Sequence, residues 1–489
     1  MADAVKGLQS GRVCERQMRK QAEKIGVGQL VFTFGDEPKH GTGETEGNGP
    51  RASGGSTTAG SRSDRKSKWH SLIDKVYALP NLRAAWARVK ANHGAAGVDG
   101  MSVGKFDERS EERLAQLAED LKTRRYRPQP VRRVFIPKSG GGQRPLGIPT
   151  VRDRIVQQSL LQILEPIFDA KFSNRSHGFR PGRGCATALD VVDRAVRHGY
   201  SWVVDADIKA FFDTVDHKKL IAALNEEIAD GRVLDLITRI LRAGVMMPET
   251  AEVEPTELGT PQGGPLSPLL ANVYLHALDV RMTEAGSGLV RYADDFVIFA
   301  RSESDAGKAL SLAREVLEGD LGLALHPEKT RIVSVNAGFE FLGYRYYRDP
   351  KIDRMRKEVR HKSVMRFREA IRRLTPRLTN QTLPKERQVT PSRLARNQRL
   401  QGIITDLNNY LRGWHWYFKA VWCPTGQPFA HCDKFVRRRL RTAITGRIGS
   451  GWWLQRIPNR LLRRLGLVPL DELQIIYQRG QLLAPVRKD

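Results

Sequence analysis

The sequence predicts an α+β protein in which helices and hairpins build on an antiparallel sheet, followed by a basic helical domain. Three observations carry this. Between about residues 64 and 350, apolar segments of helical spacing alternate with short apolar runs of strand length. Leu289-Val290 and Phe296–Phe299 are two such runs separated by a short polar segment, which is a hairpin signal. After about residue 351 the strand signals thin out, and residues 351–400 hold 16 Lys plus Arg against 4 acids.

Taken in order, residues 1–63 read as an extension. Gly41–Ser63 is rich in Gly, Ser and Thr and cannot bury enough apolar surface to offset chain entropy, so disorder is expected there. A folded chain is expected from about Trp69. Ile155–Phe172 has helical spacing, with Pro166 as a point where it kinks or divides. Leu220–Ile228 and Val233–Val245 are further helices, and Trp202-Val-Val is a buried strand running into Asp205 and Asp207. Pro268–Met282 is helical with Ser267 as its N-cap, and Asp305–Leu317 is helical again. Thr330–Val335 and Phe339–Tyr347 read as strands, and Leu394–Phe418 as a helix carrying Trp414, Trp416, Tyr417 and Phe418.

Composition narrows the function. The chain has 489 residues, 40% of them hydrophobic, enough for a sizeable core. Its net charge of +27 points to a polyanionic partner, and nucleic acid fits because neutralising phosphates releases counterions. Cys14, Cys185, Cys423 and Cys432 contain no C-x-x-C pair, so a disulfide framework is not expected and a reducing compartment is the default. Cys423, His431 and Cys432 are close enough for a zinc set, with core cysteines as the other reading. Neither a signal peptide nor a membrane span is read from the sequence, so an intracellular, membrane-free protein is expected.

The chemistry concentrates in two segments. Tyr292-Ala-Asp-Asp295 puts adjacent carboxylates inside an apolar hairpin, which is costly without a compensating cation. A divalent metal with oxygen ligands, magnesium above all, meets that need, although the pair alone also reads as a solvated turn. Upstream, Val203-Val-Asp-Ala-Asp207 is a second apolar run ending in acids. A third carboxylate from a second strand is what a two-metal site for nucleotidyl transfer requires.

These segments resemble the palm motifs of reverse transcriptases, and the wider set resembles bacterial group II intron reverse transcriptase/maturases. Ile136-Pro-Lys-Ser-Gly-Gly-Gly-Gln-Arg-Pro-Leu-Gly-Ile-Pro149 is similar to the fingers region. Ser176-His-Gly-Phe-Arg-Pro-Gly-Arg183, Asp207-Ile-Lys, Gly259-Thr-Pro-Gln-Gly-Gly-Pro-Leu-Ser-Pro268 and Tyr292-Ala-Asp-Asp follow in the family's order. Leu323-Ala-Leu-His-Pro-Glu-Lys329-Thr and Phe341-Leu-Gly-Tyr344 complete the series. The resemblance implies right-hand fingers and palm over residues 64–350 with an antiparallel palm sheet. It implies an α-helical thumb, maturase domain X, over 351–440, where Asn408-Asn-Tyr-Leu-Arg-Gly-Trp-His-Trp-Tyr417 is similar to the thumb signature. Residues 441–489 remain as a short basic region that is a candidate DNA contact.

The same resemblance implies roles. Asp207, Asp294 and Asp295 are the catalytic acids; with the backbone carbonyl of Ile208 they hold two Mg²⁺ ions, Mn²⁺ being the alternative metal. Asp295 has the weaker contact, because consecutive residues point apart. Lys138 and Arg144 contact the incoming triphosphate from a loop freed by Gly140–Gly142. Gln262 and Gly263 line the nucleotide and template pocket. Phe212 is the aromatic floor under the deoxyribose, with Phe211 as the other assignment, and Lys329 neutralises phosphate. Most of the thumb aromatics pack inward, which leaves basic residues, Arg393, Arg396, Arg399 and Arg412, as the RNA contacts. The implied partners are group II intron RNA, an RNA template with a DNA primer, dNTPs and target DNA; no protein partner is indicated. The implied functions are RNA-directed DNA synthesis, splicing support and retrohoming, in a bacterial cytoplasm. Many relatives carry a C-terminal HNH nuclease with paired C-x-x-C motifs; these are absent, so nicking of target DNA is not expected of this chain. The competing readings are a domesticated relative serving phage defence and a polymerase-dead RNA chaperone. Retention of all three acids speaks against the latter.

Overall fold

The computed structural model describes residues 68–137, 143–247, 252–376, 393–422, 427–445 and 457–483. The proposed disordered extension 1–63, Lys138, Gly140–Gly142, Cys423 and the side chains of Arg393 and Arg396 lie outside the described residues. The chain forms two compact units that divide between Ile332 and Val333.

In the first unit, helices α1 (Ile73–Tyr77), α2 (Leu79–Ala91), α3 (Val103–Asp107) and α4 (Ser110–Lys122) come before a hairpin of β1 (Val131–Pro137) and β2 (Gln143–Ile148). The hairpin is antiparallel, with Ile136 opposite Arg144. Helix α5 (Val151–Asp169) opens where the Thr150 hydroxyl accepts the Asp153 N–H. It runs unbroken through Pro166, where the sequence allowed a division. Helix α6 (Cys185–Arg197) leads to β3 (Trp202–Asp207), and a single helical turn, α7 (Phe211–Thr214), follows. Helices α8 (His217–Glu227) and α9 (Gly231–Leu241) begin at the acceptor side chains of Asp216 and Asp230. Asp230 also accepts the Leu72 and Ile73 N–H groups, tying α1 to α9. Val245 does not extend α9; it starts β4 (Val245–Met246), which pairs with β1 and with β5 (Val253–Glu254).

Helix α10 (Ser267–Glu284) is apolar on nearly every side and buried accordingly. Its N-cap is Leu266, not Ser267 as the sequence predicts. The Ser267 hydroxyl instead donates to the Pro261 carbonyl, 2.8 Å away, bracing the segment before the helix. Strands β6 (Gly288–Tyr292) and β7 (Asp295–Ala300) form the expected hairpin. β7 pairs antiparallel with β3, and the palm-type sheet has the order β6-β7-β3-β8, with β8 at Arg331–Ser334. Phe296, Val297, Ile298 and Phe299 are all buried, so β7 is covered on both faces, which is why it reads as a continuous apolar run. Helix α11 (Glu303–Arg314) passes into a π-helical stretch, Glu315–Asp320.

The second unit holds a three-stranded antiparallel sheet, β9 (Phe339–Phe341), β10 (Tyr344–Asp349) and β11 (Arg354–Val359), with β10 central. Phe339–Tyr347 is therefore two strands joined by a turn, not one strand. Leu342 and Gly343, at φ 45° and 82°, reverse the chain. β11 was not legible, because its alternating residues are largely charged. Helices α12 (His361–Leu374), α13 (Arg393–Phe418), α14 (Gln427–Thr445), α15 (Asn459–Arg464) and α16 (Leu470–Leu483) complete it. Cys432 is buried in α14.

Candidate active site

The antiparallel register sets Asp207, the last residue of β3, opposite Asp295, the first residue of β7. Asp294 and Ala293 form the two-residue turn of the β6–β7 hairpin, with Tyr292 paired to Asp295. Ala293 has φ 57°, the left-handed value that tight hairpin turns require and that a side chain disfavours. Asp207 and Asp294 thus come from adjacent strand ends and act on each other electrostatically. The Asp294 carboxyl is held above the ordinary carboxylate range, first by burial and then by the neighbouring Asp207 charge, while Arg144 and Arg291 oppose the rise.

The chain around Asp207 is fixed by the segment that ends in Lys329. The Asp207 carbonyl accepts the His326 N–H at 2.8 Å, Lys209 N–H donates to Ala324 at 2.8 Å, and Ile208 bridges to Leu325. The turn that follows brings Lys329 Nζ within 2.6 Å of Asp207 Oδ2. Arg331 pairs with Asp205 at 3.1 Å, so the other acid of β3 is already held by a cation.

Beyond β3, Ala210 at φ 48° turns the chain into α7. Phe211 points into the core; Phe212 is half-buried, its ring edge-on to Phe211 at 5.2 Å. The Phe212 carbonyl accepts the Thr260 N–H at 2.7 Å. Gly259 lies so close that a Cβ there would meet that same carbonyl at 2.7 Å. His217 Nε2 lies 2.6 Å from the Gly259 carbonyl and clamps the start of this loop. Further on, the Gln262 carbonyl accepts the Gly147 N–H from β2 at 2.7 Å. Gly263 has φ 122°, and a Cβ would stand 2.6 Å from the Gly147 carbonyl, so only glycine fits. Among the described residues Gln262 Oε1 is buried without a hydrogen-bond partner. The structure thus brings Asp207, Ile208, Asp294, Asp295 and Lys329 together at the two strand ends, with Phe212 on the helical turn that follows β3. Arg144 is close enough to bear on Asp294, and Gln262 and Gly263 sit against β2.

The sequence reading missed the residues that hold the hairpin turn. Arg291 and Asp279 are fully buried and ion-paired, and Arg291 also reaches the Ala293 carbonyl. Opposite charges inside two otherwise apolar segments, α10 and β6, were the available signal. His177 is buried beside them, with Nδ1 2.9 Å from the Thr187 hydroxyl.

The acids suit magnesium in kind and number. Among the described residues no three His, Cys, Asp or Glu side chains converge as a ready cage. Magnesium, however, commonly takes one or two carboxylates and completes its shell with water and substrate phosphates. In the second unit, Trp414, His415 and Phe418 are buried, whereas Trp416 is 52% exposed. Asn408 braces the α15–α16 link, donating to the Gly466 carbonyl at 2.7 Å and accepting the Val468 N–H at 2.9 Å. Arg399 is exposed and Arg412 half-buried on α13. No helix among the described residues is long and apolar enough to cross a membrane.

Comparison with known proteins gives the family. Residues 136–346 match the family described as reverse transcriptase (RNA-dependent DNA polymerase). Residues 385–456 match the group II intron maturase-specific domain. The Escherichia coli protein YkfC is 35% identical over 316 residues, 56% of this chain and 82% of YkfC. The group II intron-encoded protein LtrA of Lactococcus lactis is 44% identical over 196 residues, 40% of this chain and 32% of LtrA, so the match spans about a third of that relative. A chain of a partial Cas6-RT-Cas1–Cas2 complex aligns at a TM-score of 0.33 with 26% identity, over 51% of this chain and 43% of that one. The chain belongs to the reverse transcriptases of the group II intron-encoded kind, with an RNA-dependent DNA polymerase domain followed by a maturase-specific domain.

Proposed function

We propose that this chain is a working RNA-templated DNA polymerase whose acids at Asp207 and Asp294 carry two-metal nucleotidyl transfer. We further propose that its basic second unit grips group II intron RNA to support splicing and retrohoming. The observation that carries the first part is the placing of carboxylates at two adjacent strand ends, with Asp294 held above the ordinary carboxylate range by its burial and by the Asp207 charge. Such a site is poised for cations. Two bound Mg²⁺ ions would activate the primer 3′-hydroxyl and stabilise the departing pyrophosphate.

The chain's own residues do the rest. Asp207 and Asp294 hold the metals, helped by the Ile208 carbonyl and, less directly, by Asp295. Lys138 and Arg144 draw the triphosphate in, and Lys329 adds positive charge beside Asp207. Gln262 and Gly263 line the pocket where the template base meets the incoming nucleotide, and Phe212 lies under its sugar. In the second unit, Arg393, Arg396, Arg399 and Arg412 hold RNA phosphates. We assign fingers and palm to 64–350, thumb to 351–440 and a DNA-contacting tail to 441–489.

Primer extension on an RNA template tests the polymerase part. Asp207→Ala and Asp294→Ala each remove a ligand whose loss withdraws several kcal/mol of charge stabilisation, an expected fall of about 10³-fold or more. Asp295→Asn falls less. Extension at the wild-type rate by either alanine variant overturns the assignment.

A further inference from the structure

We propose that Arg291 and Asp279, with Asn272, form the positioning device of the Asp294 turn, setting the direction in which that carboxylate meets a metal. The inference rests on Asp294 being a metal ligand. Arg291 is completely buried on β6 and Asp279 completely buried on α10. The guanidinium forks onto the carboxylate, with Nε 2.7 Å from Oδ1. Its remaining nitrogen, Nη1, donates to Asn272 Oδ1 at 3.0 Å and to the Ala293 carbonyl at 2.9 Å. Asn272 in turn donates to the Gly178 carbonyl at 2.8 Å. Gly178 lies flat against the turn: a Cβ there would stand 2.5 Å from the Ala293 nitrogen. The Arg291 backbone closes the arrangement, donating to Arg175 and accepting from His177, each at 2.9 Å.

Stability alone does not account for this pair. Burying an arginine and an aspartate costs desolvation that their attraction barely recovers, and apolar replacements of similar volume often serve folding as well or better. What an apolar pair cannot supply is a directed hydrogen bond to one carbonyl. Ala293 needs one, because its left-handed φ of 57° persists only where the surroundings over-determine it. Its carbonyl belongs to the planar peptide that leads into Asp294. Holding that oxygen therefore orients the backbone from which the carboxylate springs.

The test uses two variants of the full chain. Arg291→Met with Asp279→Leu removes both charges together, so no unpaired charge is buried. Asn272→Ala keeps the ion pair and removes only the brace to Gly178 and Nη1. Residues that orient metal ligands typically cost about 10- to 100-fold in metal affinity when lost. We expect the double variant to bind Mn²⁺, read by paramagnetic resonance without nucleotide, at least about tenfold more weakly. Its Mg²⁺ requirement for extension rises in parallel, and added metal restores part of the rate. Asn272→Ala moves both readings the same way by less, while RNA binding stays at the wild-type level in both variants. Wild-type Mn²⁺ affinity and Mg²⁺ requirement in either folded variant overturn the proposal. If instead Asp294→Ala binds Mn²⁺ and extends primers normally, the metal-ligand reading itself falls.

Discussion

The Tyr292–Asp295 turn and helix α13 are built on opposite plans. At the turn a set of buried polar groups interlocks: Arg291 with Asp279, Asn272 and Ala293, Asn272 with Gly178, and His177 Nδ1 with Thr187. Helix α13 buries Ile403, Ile404, Leu407, Leu411, Trp414 and Phe418 along one stripe. Arg399, at the edge of that stripe, and Trp416, opposite it, are exposed to solvent. A site that acts through carboxylate direction loses about 10²-fold for roughly 1 Å of displacement, so it must be fixed from all sides. A surface that acts through charge needs only its cations within reach of phosphates. The two proposed activities should therefore fail independently.

The largest expected effect tests that independence. Charge reversal at Arg393, Arg396 and Arg399 should lower the slope of log affinity against log salt by about 2 to 3 units, if three phosphate contacts are lost. Over a tenfold range of salt that is about 10²- to 10³-fold in RNA affinity. At Arg399, which is exposed, the change in folding should stay below about 0.5 kcal/mol. Asp294→Ala should leave the slope alone. A salt titration of intron RNA binding for wild type and both variants reads the outcome. An unchanged slope in the arginine variant removes the grip from this helix, and lost binding in a folded Asp294→Ala joins the two activities that the comparison separates.

The next effect sharpens the other side of the contrast, the tightness of the turn. Burial, reinforced by Arg183, Arg180, Arg291 and Arg175, pushes the His177 imidazole down to about 4 from its ordinary 6.5. The folded state therefore resists a proton that the unfolded chain takes up below 6.5. The stability contributed is fully present above 6.5 and is lost as pH falls towards 4, where both states bind the proton. The window corresponds to about 3 kcal/mol. Urea unfolding of the wild type between pH 7 and 4 should show the fall, and His177→Asn should flatten it. Parallel profiles for the two proteins would mean that His177 is not the group responsible.

How much of this was legible follows the same division. The β6–β7 hairpin, β3 and helices α5, α8, α10 and α13 were readable because each carries an unbroken apolar pattern of one period. β11 was not, since Arg354–Val359 is mostly charged and its partner β10 lies across a turn that needs Asp353 at positive φ. The acids Asp207 and Asp294 stood out because carboxylates in apolar runs demand an explanation. Arg291 and Asp279 made the same demand, but they lie 12 residues apart on different elements, and nothing local reveals that each is the other's answer. The close approaches of Gly147, Gly178 and Gly263 are tertiary facts that a glycine in a sequence signals only in general.

The smallest expected effect concerns Phe212, where the structure separates two adjacent rings that the sequence leaves as alternatives. Phe211 is 2% exposed and belongs to the main core, so shortening it should cost about 3 to 5 kcal/mol of folding stability. Phe212 is half-buried, packing against that core while its carbonyl is pinned by Thr260. The loop bearing Gln262 begins at that hydrogen bond, so the ring stands beside the proposed nucleotide pocket on a fixed backbone. If it forms the floor under the sugar, Phe212→Ala opens space for a 2′-hydroxyl. The discrimination between dNTP and NTP should then fall by about tenfold, in the range that a single steric contact supplies. Extension with dNTPs should persist, because the ring holds no charge and binds no metal. Single-turnover extension with competing nucleotides measures the ratio. An unchanged ratio with full dNTP activity would leave Phe212 as packing alone, and sugar selection would have to come from elsewhere in the pocket.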